Sequence, residues 1–101
     1  MKYPKIRIKI LKDLYNNHKE SYAYKISKRI NITASNVYLE IYQMLNEGLI
    51  IISKSKPHQN PKQHIKYYKL TLTGKNLARL YLEIDQIYLN LSPLKDYKKD
   101  L

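Results

Sequence analysis

Residues 31–49 read N-I-T-A-S-N-V-Y-L-E-I-Y-Q-M-L-N-E-G-L, and the interpretation of the whole chain starts from this stretch. Thr33 can cap a helix, because its hydroxyl can accept a hydrogen bond from a backbone N–H of the first turn. Gly48 can adopt the left-handed conformation that commonly ends a helix. The sequence therefore predicts a helix of about four turns between these two residues.

The two faces of this predicted helix differ in composition. Apolar side chains recur at helical spacing and predict a core-facing stripe of Val37, Tyr38, Ile41, Met44 and Leu45. The opposite face carries Ser35, Asn36, Leu39, Glu40, Gln43 and Asn46. Short polar side chains at the start of a helix suit the reading of DNA base edges. We interpret this segment as a candidate recognition helix, with an ordinary solvated helix face as the alternative for Asn36 and Gln43.

Length and composition limit the remaining possibilities. A chain of 101 residues predicts one domain, residues 1–101, with one modest core. The absence of cysteine excludes disulfides, thiolate metal sites and cysteine nucleophiles. No apolar run of about 18 residues occurs, and the basic N-terminus is unlike a signal peptide. We expect a cytoplasmic, nucleoid-associated protein that has no membrane partner.

The positive charge is unevenly distributed. The formal net charge is +11, which favours a polyanionic partner. Residues 1–75 hold fifteen Lys and Arg against four acids, whereas residues 76–101 hold four of each. An AT-rich genome would raise the lysine content by itself, but it would not keep the C-terminal segment neutral. The distribution favours DNA or RNA as the partner.

Two shorter helices are predicted before the recognition helix. The first should begin at Pro4 and end near Asn16, with Arg7 and the lysines mostly outside. The second should follow a Ser21 cap and end near Ile30. It leaves three cations for solvent or phosphate, namely Lys25, Lys28 and Arg29. Because a turn of about three residues joins it to the recognition helix, the two helices should cross steeply in a helix-turn-helix.

Two strand-like segments follow Gly48. Residues 49–52 form a β-branched run, and residues 65–71 form a second strand-like segment. Residues 53–64 between them contain two prolines and three lysines and have little to bury. These segments predict a β-hairpin with a long basic tip, the wing of a winged helix. The expected fold class is α+β and mostly α, with three helices, the hairpin and a long C-terminal helix.

That last helix is predicted over residues 71–91, capped by Thr71. Its apolar residues lie on more than one face, and a body of about 75 residues can cover only one of them. The uncovered side should meet a second copy of the chain. The expected dimer interface comprises Leu77, Leu80, Tyr81, Ile84, Ile87, Tyr88 and Leu91. Ser92-Pro93 should break the helix and leave residues 92–101 as a tail.

Three segments carry a family resemblance: Y-A-Y-K-I-S-K-R-I (22–30), N-V-Y-L-E-I-Y-Q-M-L-N-E-G-L-I (36–50) and Y-Y-K-L-T-L-T-G-K (67–75). In order, they resemble the PadR-like winged-helix transcriptional regulators, with MarR-like proteins as relatives. They are also similar to small winged-helix regulators and partition proteins of archaeal plasmids and viruses. The resemblance implies a homodimer joined by its C-terminal helices, with recognition helices in successive major grooves and wings on the minor groove or backbone. By position it places Thr33, Ser35, Asn36 and Tyr38 against DNA and Lys54, Lys56 and Lys62 on the wing.

Other chemistry is poorly represented. His58 and His64 flank the wing tip without cysteine or a nearby acid, so no metal and no cofactor are expected. The chain shows no phosphate-binding glycine loop, no paired carboxylates in an apolar setting and no nucleophile with a base, which argues against an enzyme. Eleven tyrosines could stack on single-stranded nucleic acid. Most of them fall at predicted core positions, including Tyr15, Tyr38, Tyr81 and Tyr88, and favour structural packing.

The interpretation is a homodimer that binds specific double-stranded DNA sequences as a transcriptional regulator. Phosphate contacts should come from Lys25, Lys28, Arg29, Lys54, Lys56 and Lys62. Base contacts should come from Thr33, Ser35, Asn36, Tyr38, Leu39 and Gln43. Two alternatives remain open: a DNA-organising or partition protein that spreads along DNA, and a winged helix that binds a protein partner.

Overall fold

The structure is a computed structural model that describes residues 5–16, 20–57 and 64–99. These residues form four helices and three strands. They are α1 (Lys5–Asn16), β1 (Ser21–Tyr22), α2 (Ala23–Ile30), α3 (Ala34–Asn46), β2 (Ile50–Pro57), β3 (His64–Leu70) and α4 (Leu72–Lys99). The strands form an antiparallel sheet in the order β1-β3-β2. The expected fold class, a mostly helical winged helix, is confirmed.

The turn between α2 and α3 is as short as the sequence predicts. Asn31 has a left-handed backbone with φ of 58°, a conformation that a short polar side chain tolerates. The N–H groups of Asn31 and Ile32 both donate to the carbonyl of Ser27, the second over 3.1 Å. Ile32 is half-buried and packs against the core. This arrangement sets α2 and α3 in their helix-turn-helix.

The ends of α3 confirm the predicted positions, although only one of the two predicted mechanisms operates. Gly48 has φ of 74°, its N–H donates to Leu45 O over 3.2 Å, and the N–H of Leu49 donates to Met44 O over 2.9 Å. These two bonds are a Schellman motif. At the other end Thr33 occupies the cap position, but its hydroxyl makes no cap hydrogen bond.

The sheet is longer than expected on the wing side and has a third strand. β2 pairs with β3 from Ile50↔Leu70 to Pro57↔His64, with a bulge at Ser53. The prediction of an irregular tip over residues 53–64 is therefore wrong at 53–57 and at 64, which belong to the strands. The rest of that tip, residues 58–63, lies outside the described residues. Ser21 belongs to β1 and is buried, so it does not cap α2.

One apolar cluster joins all four helices and the sheet. It comprises Ile10, Leu11, Leu14, Ala23, Ile26, Val37, Ile41, Met44, Leu49, Ile50, Tyr68, Leu70 and Ala78. The predicted stripe of α3 is confirmed for Val37, Ile41 and Met44. Tyr38 is a correction, since it is 47% exposed at the edge of that stripe, and Tyr15 and Tyr88 are also exposed. The expectation that most tyrosines pack in the core is wrong for these three.

The C-terminal helix α4 begins as predicted and runs further than predicted. The Thr71 hydroxyl caps it by accepting from the N–H of Gly74 over 3.1 Å. The helix continues through Ser92-Pro93 to Lys99, so the expected break and the tail from residue 92 are wrong. A proline removes one backbone donor, and α4 continues past that single loss. None of the described helices combines the length and apolarity needed to cross a bilayer.

The end of α3 and the start of α4 meet in a tight contact that we call the α3–α4 junction, formed by Gly48, Leu49, Thr71 and Gly74. The Thr71 N–H donates to Leu49 O over 3.0 Å, and its hydroxyl donates to Gly48 O over 2.6 Å. Gly74 lies directly against the Leu49 carbonyl, so a Cβ at position 74 would overlap that oxygen. Only glycine fits there without movement of backbone atoms.

We expect Gly74→Ala to lower the free energy of unfolding by about 3 kcal/mol, because the new methyl group must displace a backbone carbonyl. The matched control is Thr73→Ala, at an exposed position of the same turn, which should change stability by less than about 0.5 kcal/mol. Urea unfolding followed by far-UV circular dichroism measures both. Equal unfolding midpoints for the two variants would contradict the assigned junction.

Candidate nucleic-acid interface

The exposed face of α3 contains nearly all of the residues predicted to read DNA. Thr33, Ser35, Asn36, Tyr38, Leu39 and Gln43 are all exposed. Leu39 is 65% exposed and Tyr42 is 66% exposed, so large apolar groups point to solvent beside the polar ones. Tyr42 was missed by the sequence analysis, although its position one turn after Tyr38 could have indicated it. The structure therefore presents a mixed polar and apolar surface.

Arg7 of α1 contacts three side chains along one flank of α3 and just after its end. Its Nε donates to Glu40 Oε1 over 2.7 Å, its Nη1 pairs with the Glu47 carboxylate, and its Nη2 lies 3.5 Å from Gln43 Oε1. Burial lowers the pKa of the Arg7 guanidinium, but its bonds and charge interactions with the two carboxylates outweigh burial and raise the pKa above its usual value. The expectations that Arg7 lies mostly outside and that Glu40 belongs to the outward face are wrong.

Arg29 of α2 is held by a buried acid. Its Nε and Nη2 donate to the two carboxylate oxygens of Asp13 over 2.8 and 2.7 Å, and Nη2 also donates to Ser21 Oγ over 2.9 Å. Hydrogen bonding to Asp13 raises the pKa of the Arg29 guanidinium. A carboxylate as buried as Asp13 requires such a partner. The prediction that Arg29 is left for solvent or phosphate is therefore wrong.

The other two cations predicted on α2 remain accessible. Lys25 and Lys28 are exposed, and the Lys28 ammonium lies 5.3 Å from the centre of the Tyr24 ring. Lys28 also lines a shallow depression together with Thr33 and Ala34, at the start of α3. The structure thus places Lys28 next to the N-terminal end of α3, from which base contacts are expected.

Two of the predicted wing lysines share one face of the hairpin with Tyr67. The ammonium groups of Lys54 and Lys56 lie 4.8 and 5.4 Å from the centre of the Tyr67 ring. Lys54 also pairs with Glu20, which accepts a further hydrogen bond from Ser53 Oγ over 2.7 Å. The bond from Lys54 lowers the pKa of Glu20, and the bond to Glu20 raises the pKa of Lys54.

The opposite face of the hairpin, together with α3, forms a groove that we call the α3–wing groove. It is lined by Tyr38, Ile41, Tyr42, Leu45, Ile52, Lys66 and Tyr68. Lys66 is exposed there and brings a wing cation beside the recognition helix. The sequence analysis missed Lys66, although the alternation of 66, 68 and 70 along β3 could have placed it on the same face as the buried Tyr68 and Leu70.

The expected dimer interface divides into two parts. Leu77 and Tyr81 are partly buried and pack against the core of their own chain, so their place in the dimer interface stays a prediction. Leu80, Ile84, Ile87 and Tyr88 are exposed. Every residue from 83 to 90 is exposed, which shows that this part of α4 extends past the body. An ion pair between Lys12 and Asp85 connects this part to α1.

Several predicted site residues cannot be placed. Lys62 and His58 lie outside the described residues, as do the side chains of His64 and Leu91. The predicted phosphate contact of Lys62 and the predicted place of Leu91 in the dimer interface therefore stay predictions.

Comparison with known proteins supports the fold. No protein-family model and no curated protein sequence matches the chain. Among solved structures, a Lactococcus lactis ZitR mutant has a TM-score of 0.72 at 18% identity, over 97% of this chain and 63% of that one. Bacillus subtilis PadR in complex with operator DNA has a TM-score of 0.66 at 24% identity, over 78% and 47%.

A PadR family transcription regulator from Clostridium difficile R20291 also has a TM-score of 0.66, at 22% identity, over 88% of this chain and 96% of that one. At such identities the likeness shows the fold, and that fold is a PadR-like winged helix. The chain spans less than two thirds of that ZitR chain and less than half of the B. subtilis PadR chain.

We expect Arg29→Met to lower the free energy of unfolding by about 3 kcal/mol, because it removes the guanidinium that binds both carboxylate oxygens of the buried Asp13. Lys28→Met is the matched control, since it removes the neighbouring exposed cation and should cost less than about 0.5 kcal/mol. The double variant Asp13→Leu/Arg29→Met should recover most of the loss. Chemical unfolding measures all three. Wild-type stability of Arg29→Met would mean that this arginine is not structural.

Proposed function

We propose that this chain binds double-stranded DNA as a transcription regulator of the cytoplasm and nucleoid, rather than acting as an enzyme. One observation carries the proposal: Lys28 lies beside the start of α3, and Lys66 lies beside its exposed flank. The one acidic residue of α3, Glu40, is neutralised by Arg7. An exposed helix bordered by cations fits the major groove between two phosphate backbones. The PadR bound to operator DNA and the C. difficile regulator, which share the fold, support the same function.

The proposed contacts divide between affinity and selectivity. Lys25, Lys28, Lys54, Lys56, Lys62 and Lys66 provide phosphate contacts, which do not depend on sequence and weaken with added salt. The exposed residues of the α3 cap and helix, from Thr33 to Gln43, meet the base edges. Arg29 and Arg7 act indirectly, because they hold α2 and α3 in place through carboxylates of their own chain.

The proposal includes a homodimer formed by α4. Leu80, Ile84 and Ile87 are exposed at helical spacing on one side of this helix, in and next to the part that extends past the body. An apolar stripe of this kind is stabilised when a second apolar surface covers it, and a second copy offers the same stripe. A two-fold dimer would bind inverted half-sites about 34 Å apart.

We expect Lys66→Ala to weaken DNA binding several-fold and to reduce the salt dependence of binding by about one phosphate contact. Lys69→Ala is the matched control: it removes an equally charged, exposed residue from the opposite face of β3 and should leave affinity within about twofold. Fluorescence anisotropy over a salt series measures both. Equal losses in the two variants would contradict a specific role for the α3–wing groove.

Failure of the wild-type protein to bind any duplex would overturn the proposed function and favour a protein partner. A footprint that grows with protein concentration beyond one inverted repeat would instead favour the DNA-organising alternative.

We expect Ile84→Glu and Ile87→Glu to give monomers with much weaker DNA binding, because each places a charge in the apolar stripe of α4. Gln86→Glu adds the same charge on another side of the helix and should remain a dimer. Sedimentation velocity distinguishes the two states. A dimer in all three variants would show that the stripe is not the interface.

A further inference from the structure

The recognition helix carries no free side chain of the kinds that select guanine or cytosine, which are arginine or lysine for guanine and a carboxylate for cytosine. Its sequence, A-S-N-V-Y-L-E-I-Y-Q-M-L-N, contains no lysine or arginine, the side chains that most often bind guanine O6 and N7. Its one acid, Glu40, could accept from cytosine N4, but Arg7 holds its carboxylate at 2.7 Å. Arg7 itself is held by Glu40 and Glu47 and is mostly buried.

The side chains that α3 does expose favour A·T base pairs. Asn36, Leu39 and Gln43 follow one another at spacings of three and four and therefore lie within about 60° on one side of the helix. The opposite side is the buried stripe of Val37, Ile41 and Met44. The three residues thus form an exposed ridge of α3, with an amide at each end and a leucine between them.

Each member of this ridge has a partner on an A·T pair. The amide of Asn or Gln can bind adenine N6 and N7 with two hydrogen bonds, and an apolar side chain can contact the 5-methyl group of thymine. The ridge spans seven residue steps of α3, or about 10 Å, which corresponds to about three base pairs. Leu39 is exposed to water in the free protein, and contact with thymine would cover it.

We propose that α3 selects A·T base pairs, so that each half-site contains a run of about three A·T pairs read by Asn36, Leu39 and Gln43. This inference rests on the proposed function, because it specifies which DNA the protein binds. Asn36 and Gln43 supply the adenine contacts, and Leu39 contacts the thymine methyl group. Gln43 gives up its long contact with Arg7 Nη2, 3.5 Å from its Oε1, when it binds adenine. G·C pairs at these positions leave the amides imperfectly paired and Leu39 without a methyl partner.

The first experiment is selection of bound duplexes from a random library by the full-length protein. The expected result is an enriched motif whose half-sites each contain consecutive A·T pairs. Replacing one of those pairs by G·C should weaken binding about tenfold or more, measured by fluorescence anisotropy. Enrichment of G·C pairs at the centre of each half-site would overturn the inference while leaving the proposed function intact. Binding of duplexes without any enriched motif would overturn the inference, whereas failure to bind any duplex would overturn the proposed function itself.

The second experiment removes only the thymine methyl group. Duplexes with deoxyuridine in place of a contacted thymidine keep every hydrogen bond and lack the 5-methyl group. The wild-type protein should bind the best such duplex about fourfold more weakly than its parent, as expected for one buried methyl group. Leu39→Ala should bind both duplexes equally, whereas the control Gln86→Ala, on exposed α4, should behave as wild type. Equal binding of both duplexes by the wild type would overturn the role of Leu39.

The third experiment changes the specificity. Asn36→Arg introduces the guanine-reading side chain that α3 lacks, and selection with this variant should enrich guanine at the position that faces residue 36. Circular dichroism checks that the variant is folded. An unchanged motif for the folded variant would show that residue 36 does not meet a base and would overturn its assignment.

Discussion

The close approach of Gly74 to the carbonyl of Leu49 constrains the rest of the molecule. At this point the chain leaves α3, enters β2, and returns from β3 to start α4, so one contact fixes the relative positions of the reading helix, the wing and the C-terminal helix. The Thr71 side chain and backbone donate to the carbonyls of Gly48 and Leu49, which follow the last turn of α3. Thr71 thus provides hydrogen-bond partners for two backbone carbonyls just beyond α3, and the same bonds orient the start of α4.

Helix α1 has a related role on the other side of the molecule. It contributes the acid of one ion pair, Asp13 with Arg29 of α2, and the base of another, Arg7 with Glu40 of α3. Both pairs are largely shielded from water, so removing one partner would leave a poorly solvated charge. α1 therefore connects to each helix of the helix-turn-helix by a directional contact, in addition to its apolar packing through Ile10, Leu11 and Leu14.

The fold could be predicted from sequence because its main signals are local. The stripe of α3, the glycine at position 48 and the cap at Thr71 depend on residues a few positions apart. The wrong predictions for individual side chains have a different cause, which is contact between distant segments. Ser21, Arg7 and Arg29 were misjudged because each binds a residue brought near only by the folded chain, namely Arg29, Glu40 and Asp13 respectively.

The same distinction applies to the candidate site. The exposed residues of α3 follow from its periodicity, and the structure places them as the sequence predicts. Lys66 and Tyr42 were missed because their importance depends on the groove between α3 and the hairpin, which no single segment reveals. Pro93 was misjudged for the opposite reason: a strong local preference was given more weight than the continuity of a long helix.

Strand β2 lies at an edge of the sheet, and this position has a consequence for how the protein behaves at high concentration. An edge strand offers unpaired backbone groups to any other extended chain, and Ile51 and Ile52 are exposed near its start. Lys54 and Lys56 follow on the same strand, and two such edges brought together would place like charges side by side. Lysines at this edge therefore disfavour pairing of β2 with a second copy of itself, whether or not nucleic acid is bound.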